Sequence, residues 1–234
     1  MAKTPATATF DPEGPGVAAV NRALSILCVF RHDDDSLTLA DVAARTGLYK
    51  STILRLTESL ETFGMLTRDT SGRFRLGVEL VRLGAVAKLS VGGQADISSI
   101  LVDMTALTGE SATYYVRRGG FRLALYRVDS PKSVRDHIHV GDLLPLDKGA
   151  AGKILSNTAS LDQRDGNPFQ TVVTKGERDP DVAAISGPVF CGDDIVGALS
   201  LSGPVSRFTE DNVAGMREIL MKKCKQLSAL LEPQ

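Results

Sequence analysis

The chain has 234 residues, a formal net charge of −1 and a hydrophobic content of 43%. This length leaves room for one large domain or two modest ones, each with an ample core. No apolar run approaches the ~18 residues that a membrane span needs, and the first residues lack the apolar segment of a signal peptide. These features exclude a membrane protein and predict a soluble, cytoplasmic one.

The cysteine content argues in the same direction. The three cysteines, Cys28, Cys191 and Cys224, lie far apart in the sequence. An odd and dispersed set favours neither a disulfide framework nor a zinc cluster, and it fits a reducing compartment. Residues 1–16 contain Pro, Thr and Gly throughout and are predicted to form a disordered arm.

Residues 17–63 predict three helices, the last two in a helix-turn-helix. Thr38 is predicted to cap the second helix, because Asp41 can return a bond to the N-cap amide. Gly47 supplies the sharp turn between the two helices. The third helix, residues 49–63, carries apolar residues at the spacing of one buried stripe. That stripe consists of Ile53, Leu56, Leu60 and Phe63.

The opposite face of the third helix carries Ser51 and Arg55, with Lys50 and Thr52 in the first turn. Short hydroxyls and a cation near a helix N-terminus suit phosphate contacts and the reading of base edges in a major groove. A solvated amphipathic helix would show the same periodicity. Glu58 also lies on this face and would repel phosphate, so only the first two turns are compatible with a groove.

Residues 65–76 predict a β-hairpin, which directly after a helix-turn-helix is a wing. It carries Arg68, Arg73 and Arg75. From Arg45 to Lys88 the sequence holds eight Lys/Arg and four Asp/Glu, a local net charge of 8 − 4 = +4 in a chain of −1. Such a local basic stripe is the electrostatic footprint of nucleic-acid binding. We therefore predict a winged helix-turn-helix DNA-binding domain over residues 17–76, with Thr38 and Tyr49, at the helix starts, as further contacts.

Residues 77–93 predict a linking helix that ends at a Gly-Gly boundary, and residues 94–234 predict a mixed α/β domain. Its first helix has an apolar stripe from Ile97 to Leu107 and stops at Gly109. Strands backed by terminal helices suggest a small-molecule sensor rather than a doubly wound enzyme. The later predicted elements are a hairpin at 111–128, a strand at 134–140, a loop at 141–145, a helix at 148–156, a hairpin at 183–202 and a helix at 211–231.

Two stretches of this domain could bind a polar ligand. Residues 149–153 fail the phosphate-loop pattern, because Asp147 stands where its first glycine belongs. Small residues at a helix opening would instead let a ligand reach free amides, which favour an anion such as a carboxylate, although close packing explains them equally well. Ser200 and Ser202 share one face of a predicted strand and would offer two hydroxyls if that face points inward. The sequence leaves both orientations open.

No stretch predicts catalysis or a resident cofactor. His137 and His139 would share a face of the strand at 134–140, spaced as two metal ligands could be, but nothing nearby supplies a third. The serines lack a nucleophile elbow, and no cysteine lies in an activating context. We therefore expect no enzyme, no metal and no cofactor.

Short motifs occur in a fixed order along the chain. They are Val20-Asn21-Arg22-Ala23-Leu24, Thr46-Gly47-Leu48, Lys50-Ser51-Thr52, Phe74-Arg75-Leu76-Gly77, Leu144-Pro145-Leu146, Gly152-Lys153, Gly187-Pro188-Val189-Phe190 and the run at 196–204. In this order and spacing the chain resembles the IclR family of transcriptional regulators, over residues 17–231. The resemblance implies an α+β chain of two domains, a winged helix-turn-helix joined by a linker helix to a C-terminal GAF-like effector-binding domain. It also implies a homodimer or homotetramer on a double-stranded DNA operator, with a small organic or aromatic acid as effector.

Carried over by position, the resemblance assigns Lys50, Ser51, Thr52 and Arg55 to the recognition helix, and Arg73 and Arg75 to the wing. It assigns an effector site to Ala150, Ala151, Thr174, Ala184, Ser200 and Ser202. Two departures from the family pattern bear on that site. The segment 155–173 is shorter than in the family, which predicts that part of the pocket wall or lid is missing or rebuilt, and Thr174 stands where an acidic residue can occur.

The sequence thus predicts a ligand-responsive transcriptional regulator, either repressor or activator. The alternatives are a small-acid-processing enzyme and a protein-binding module, each with a vestigial winged helix. The lack of catalytic signatures disfavours the first. The wing arginines disfavour the second, because a protein interface favours aromatics over unpaired cations.

Overall fold

The computed structural model of the protein describes residues 14–90, 94–156 and 168–232, and the chain divides into two compact units at residues 91 and 92. We call residues 14–90 the first unit and the other described residues the second unit. No helix in these ranges is long and apolar enough to cross a membrane. The predicted α+β organisation is confirmed, because the first unit is mainly helical and the second combines helices with one sheet.

The first unit contains four helices and a two-stranded hairpin within its described residues. Thr38 caps the second helix as predicted: its hydroxyl accepts from the Asp41 amide at 3.1 Å, and the Asp41 carboxylate accepts from the Thr38 amide at 2.9 Å. Gly47 ends this helix at φ 73°, a left-handed conformation that favours glycine. The elements are α1 (Ala18–Cys28), α2 (Leu39–Thr46), α3 (Lys50–Thr62), β1 (Leu66–Arg68), β2 (Phe74–Leu76) and α4 (Val78–Ser90).

The core of the first unit forms where α1, α2 and α3 meet the hairpin, and it includes Ile26, Ile53 and Phe74. The predicted stripe of α3 is wrong at Phe63, which is 72% exposed because α3 ends at Thr62. Thr57 is fully buried on the stripe instead. Its hydroxyl donates to the Leu54 carbonyl at 3.0 Å, which satisfies the hydroxyl inside the core.

The second unit is built on a six-stranded antiparallel sheet of order β5-β4-β3-β8-β7-β6. Two long helices, α5 and α7, pack their apolar residues against one face of this sheet. The short helix α6 packs on the other face. The elements are α5 (Gln94–Thr108), β3 (Ser111–Arg118), β4 (Phe121–Val128), β5 (Leu143–Pro145), α6 (Ala150–Leu155), β6 (Val172–Lys175), β7 (Val182–Cys191), β8 (Asp194–Pro204) and α7 (Glu210–Leu231).

Both predicted hairpins and both long helices of this unit are confirmed, with three corrections. Residues 134–140 form no strand, because the edge of β4 bonds to residues 141–145 instead, and β5 lies within the predicted loop. The strand β6 was not predicted. Leu107 is 64% exposed because the stripe of α5 turns away from the core after Met104. The prediction that residues 155–173 change the pocket wall concerns a segment that lies partly outside the described residues.

Candidate functional site

The first two turns of α3 form an exposed polar face. Lys50, Ser51 and Arg55 are exposed, and Thr52 is half-buried. Neither cation makes an ion pair within residues 14–90. Tyr49, the N-cap residue of α3, is 84% exposed. This face therefore presents two cations and two short hydroxyls without a partner that a nucleic acid would have to displace.

Two wing arginines are held by acidic residues of the same unit. Arg75 donates from both terminal nitrogens to the Asp35 carboxylate at 2.8 Å. Arg68 donates to Glu61 at 2.9 Å and lies 4.7 Å over the ring of Phe74. The interpretation of the wing arginines as unpaired cations is therefore wrong for this pair.

Arg73 and Thr38 are also engaged within the unit. The Arg73 guanidinium donates to the hydroxyl of Ser36 at 2.8 Å and to its carbonyl at 3.0 Å. The Thr38 hydroxyl serves the capping box and also donates to the Asp41 carboxylate at 2.6 Å. Both contacts are explained by local structure without DNA. Among the predicted DNA contacts, the side chains that make no hydrogen bond or ion pair in residues 14–90 lie on α3 and at its N-cap.

The second unit contains a small cavity on the α6 side of the sheet, with a volume of about 30 Å³. All six residues predicted for the effector site line it, as do the charged residues Arg122, Asp136, Glu177 and Arg178. The six are Ala150, Ala151, Thr174, Ala184, Ser200 and Ser202.

Sheet register brings four of the six together. Thr174 on β6 is paired with Ala184 on β7, and Ala184 is paired with Ser202 on β8, so the three form one row across the sheet. Ser200 precedes Ser202 by two residues and faces the same side. Because Ser200 and Ser202 are 3% and 4% exposed, the inward orientation is the observed one.

The hydroxyls of Thr174, Ser200 and Ser202 already have hydrogen-bond partners. Thr174 accepts from the Ala150 amide at 3.1 Å, Ser200 accepts from Ser186 at 2.8 Å, and Ser202 donates to Asp136 at 2.8 Å. They hold α6 and the loop around Asp136 against the sheet. A ligand in the cavity would meet these hydroxyls only through their remaining lone pairs or after they exchange partners.

The amides at the opening of α6 are not all free. The Gly149 amide donates to the Glu177 carboxylate at 3.1 Å, and the Ala150 amide is bound by Thr174. Glu177 also accepts from Lys153, and this bond is the main reason that its pKa is lowered. The expectation of free amides at this helix start is therefore wrong for these two positions.

Arg122 is a buried cation beside the cavity, only 3% exposed. One terminal nitrogen donates to the carbonyls of Pro145 and Lys148, and Nε has no acceptor among the described residues. Burial lowers the pKa of its guanidinium. A desolvated guanidinium with a free N–H beside an open space would bind an anionic group strongly.

A buried carboxylate lies on the same wall. The Asp136 side chain is fully buried, accepts from Arg127 at 2.5 Å, and lies 3.9 Å from the Arg178 guanidinium. The pair His137 and His139 does not approach it as metal ligands would, since His137 is exposed outside any strand. No group of His, Cys, Asp and Glu in the described ranges could hold a metal ion.

Sequence reasoning missed these charged cavity residues because charged side chains are expected at the surface. The alternation of residue types along the chain gave a signal for Arg122 and Asp136. Arg122 and Ala124 share one face of β4, and Asp136 and Ile138 alternate in the same way. An apolar neighbour two residues away indicated an inward orientation for both charges.

Comparison with known proteins supports the family resemblance. The family model described as the IclR helix-turn-helix domain matches residues 19–70, from α1 to just beyond β1. The HTH-type transcriptional regulator KipR of Bacillus subtilis is 23% identical over 89% of this chain and 95% of its own length. Residues 19–70 thus match the IclR helix-turn-helix domain, and most of the chain is similar to an HTH-type transcriptional regulator.

Solved IclR structures share the fold of the whole chain. A regulator from Alicyclobacillus acidocaldarius superposes with a TM-score of 0.78 at 23% identity, covering 92% of this chain and 99% of that one. An IclR homologue from Microbacterium hydrocarbonoxydans, solved in complex with 4-hydroxybenzoate, has a TM-score of 0.69 at 20% identity, covering 91% and 98%. The resemblance inferred from the sequence motifs is thus confirmed.

Proposed function

We propose that this IclR-family regulator binds a double-stranded operator through its first unit and a small carboxylic acid in the cavity of its second unit. The observation that carries the proposal is Arg122, a buried guanidinium whose Nε lacks an acceptor on the wall of that cavity. The IclR homologue solved with 4-hydroxybenzoate supports an acid as the ligand class. The GAF-like character of the second unit remains a prediction.

On the DNA side, α3 enters the major groove and the wing follows the backbone. Lys50, Ser51, Thr52 and Arg55 contact phosphates and base edges, with Tyr49 beside them at the helix start. Arg68, Arg73 and Arg75 exchange their present partners for phosphates or support the hairpin. The absence of ion pairs on Lys50 and Arg55 within residues 14–90 supports α3 as the reading element.

The proposed mechanism couples the two units through assembly. A homodimer or homotetramer presents two recognition helices to a palindromic operator, and effector binding shifts the population of subunit arrangements. The separation of the recognition helices then changes, and with it the affinity for two half-sites. Such a regulator works where the DNA is, in the cytoplasm.

The two alternative functions, a small-acid-processing enzyme and a protein-binding module, have less support. An enzyme is disfavoured because the relatives are named transcriptional regulators, and the cavity holds no Ser-His or Cys-His pair. The wing arginines no longer argue against a protein-binding module, since they are paired. Membership of a family of DNA-binding regulators disfavours that alternative instead.

The test is titration of labelled upstream DNA with purified protein, measured by fluorescence anisotropy against a scrambled duplex of equal length. We expect specific binding that weakens steeply with salt, as phosphate contacts require. Equal affinity for both duplexes across candidate upstream regions would contradict operator recognition. Calorimetry with a panel of small carboxylic acids tests the second unit separately, and binding of none would contradict the effector site.

A further inference from the structure

Three arginines and two aspartates form a charge network that reaches from the surface to the cavity, and a fourth arginine, Arg122, lies near Arg178 of this network. Asp129 accepts from Arg127 at 2.7 Å and lies 3.7 Å from Arg135. Asp136 is likewise shared, because Arg127 contacts it at 2.5 Å and Arg178 at 3.9 Å. Each carboxylate of the network thus serves two guanidiniums.

The fourth arginine, Arg122, makes no ion pair in the described part of the chain, and the exposed Asp147 is the carboxylate that favours its charged form. Arg122 is fixed through one terminal nitrogen by the carbonyls of Pro145 and Lys148. These carbonyls satisfy hydrogen bonds but carry no net charge, and Nε has no acceptor. Glu177 does not compensate either, because it pairs with Lys153.

Over these four arginines and two aspartates the formal charge is 4 − 2 = +2, with the exposed Asp147 outside the count. Part of this excess is buried, since Arg122 is 3% exposed and the Arg127 side chain is likewise 3% exposed. Buried charge without a counter-charge is costly, and a ligand that supplies the missing charge gains the corresponding interaction. The two cavity-lining arginines, Arg122 and Arg178, are the groups a ligand can reach.

We propose, on the basis of the effector site inferred above, that the effector carries two separate anionic groups, one bound by Arg122 and the other by Arg178. The two guanidiniums have different partners, Arg122 the 145–148 turn and Arg178 the Asp136 carboxylate. A ligand with its charges on separate groups can therefore meet both, whereas a phosphate monoester concentrates its charge at one end. The ligand class that this arrangement predicts is a dicarboxylate.

The experiment compares dicarboxylates with monocarboxylates of matched size by calorimetry on the full chain. The pairs are succinate with butyrate, glutarate with valerate, and phthalate with benzoate. Glycerol 3-phosphate is tested separately as a phosphate monoester. We expect at least one dicarboxylate to bind about tenfold or more tightly than its partner, which corresponds to about 1.4 kcal/mol. Equal affinities within every pair, or tightest binding by glycerol 3-phosphate, would overturn the proposal.

Variants of Arg122 and Arg178 test whether these two residues cause the preference for dicarboxylates. Arg122→Gln and Arg178→Gln should each bring the affinity for the dicarboxylate close to that for the monocarboxylate. Arg117→Gln, on an exposed arginine of β3, is the matched control and should change neither. Arg178 is partly exposed, so its variant remains informative if Arg122→Gln does not fold. Unchanged discrimination in the Arg178 variant would contradict the two-point site.

The outcomes separate this inference from the proposed function. If monocarboxylates bind as tightly as dicarboxylates and alter operator affinity equally well, the dianion inference is wrong and the acid-responsive regulator stands. If no acid binds, the effector site itself is wrong.

Discussion

At the residue scale, Arg55 and Lys50 extend from the first two turns of α3 without an ion pair in residues 14–90. Arg55→Ala should cost about 1–3 kcal/mol on the cognate operator and relax sequence preference, if Arg55 reads a base edge. Anisotropy on the operator and on single-base variants measures both effects. Arg117→Ala, an exposed arginine of the second unit, is the control. An equal loss on all sequences would indicate a phosphate contact instead.

The Asp35–Arg75 pair gives a second prediction. Asp35 is 80% exposed, so the pair is worth little in water, yet it places a carboxylate beside a wing cation. Asp35→Asn should leave Arg75 with only its longer 3.8 Å ion pair to Asp69, and so make it available to phosphate, tighten operator binding several-fold at low salt and steepen the salt dependence by about one counterion. Titrations at several salt concentrations measure this slope.

Asp33→Asn is the matched control, since it removes the same charge from the same turn. Within residues 14–90 Asp33 makes no ion pair with an arginine, whereas Asp35 pairs with Arg75. If both variants tighten binding equally, general repulsion between the turn and DNA is responsible, and Arg75 is not a phosphate contact.

At the element scale, the capping box of α2 stabilises the helix that supports α3. Thr38→Ala should lower the free energy of unfolding of the first unit by about 1 kcal/mol, because the Asp41 amide at the helix start loses its hydrogen bond to the Thr38 hydroxyl. Urea unfolding followed by circular dichroism measures this. Thr38→Ser keeps the cap and serves as the control. Weaker DNA binding by a fully stable Thr38→Ser would show that the side chain also contacts DNA.

Sequence patterns predicted the elements that depend on local chemistry. The cap at Thr38, the left-handed Gly47 and the long stripe of α7 each follow from residues close together in the chain. The strand β6 and the course of residues 134–140 were missed for the opposite reason. The strand β6 depends on which segment pairs with β7, and the course of residues 134–140 depends on which segment pairs with the edge of β4. Such pairing is a property of the tertiary structure.

The candidate site likewise combines features that the sequence predicted with features that depend on the tertiary structure. Ala150, Ala151, Thr174, Ala184, Ser200 and Ser202 meet at one cavity as the motif resemblance predicted. The partners of these residues could not be predicted, because the Ser202–Asp136 and Gly149–Glu177 bonds join residues 66 and 28 positions apart. The charges that set the proposed ligand class therefore became visible only in the folded second unit.

At the scale of the whole molecule, the account requires that the effector and the operator affect each other's binding. Coupling of this kind typically changes an affinity 5–150-fold, and it is reciprocal. The ligand that binds most tightly among the succinate, glutarate and phthalate arms should therefore bind the protein–operator complex with an affinity altered by the same factor. Calorimetry on that complex measures the reverse direction.

The measurement that tests the central claim most directly is the operator affinity of the full chain at zero and at saturating concentration of that dicarboxylate. The account predicts a shift of at least about fivefold. In Arg122→Gln this shift should disappear while affinity without ligand stays at the wild-type value. An operator affinity that is the same with and without the bound ligand would contradict the claim that this protein is a ligand-responsive regulator.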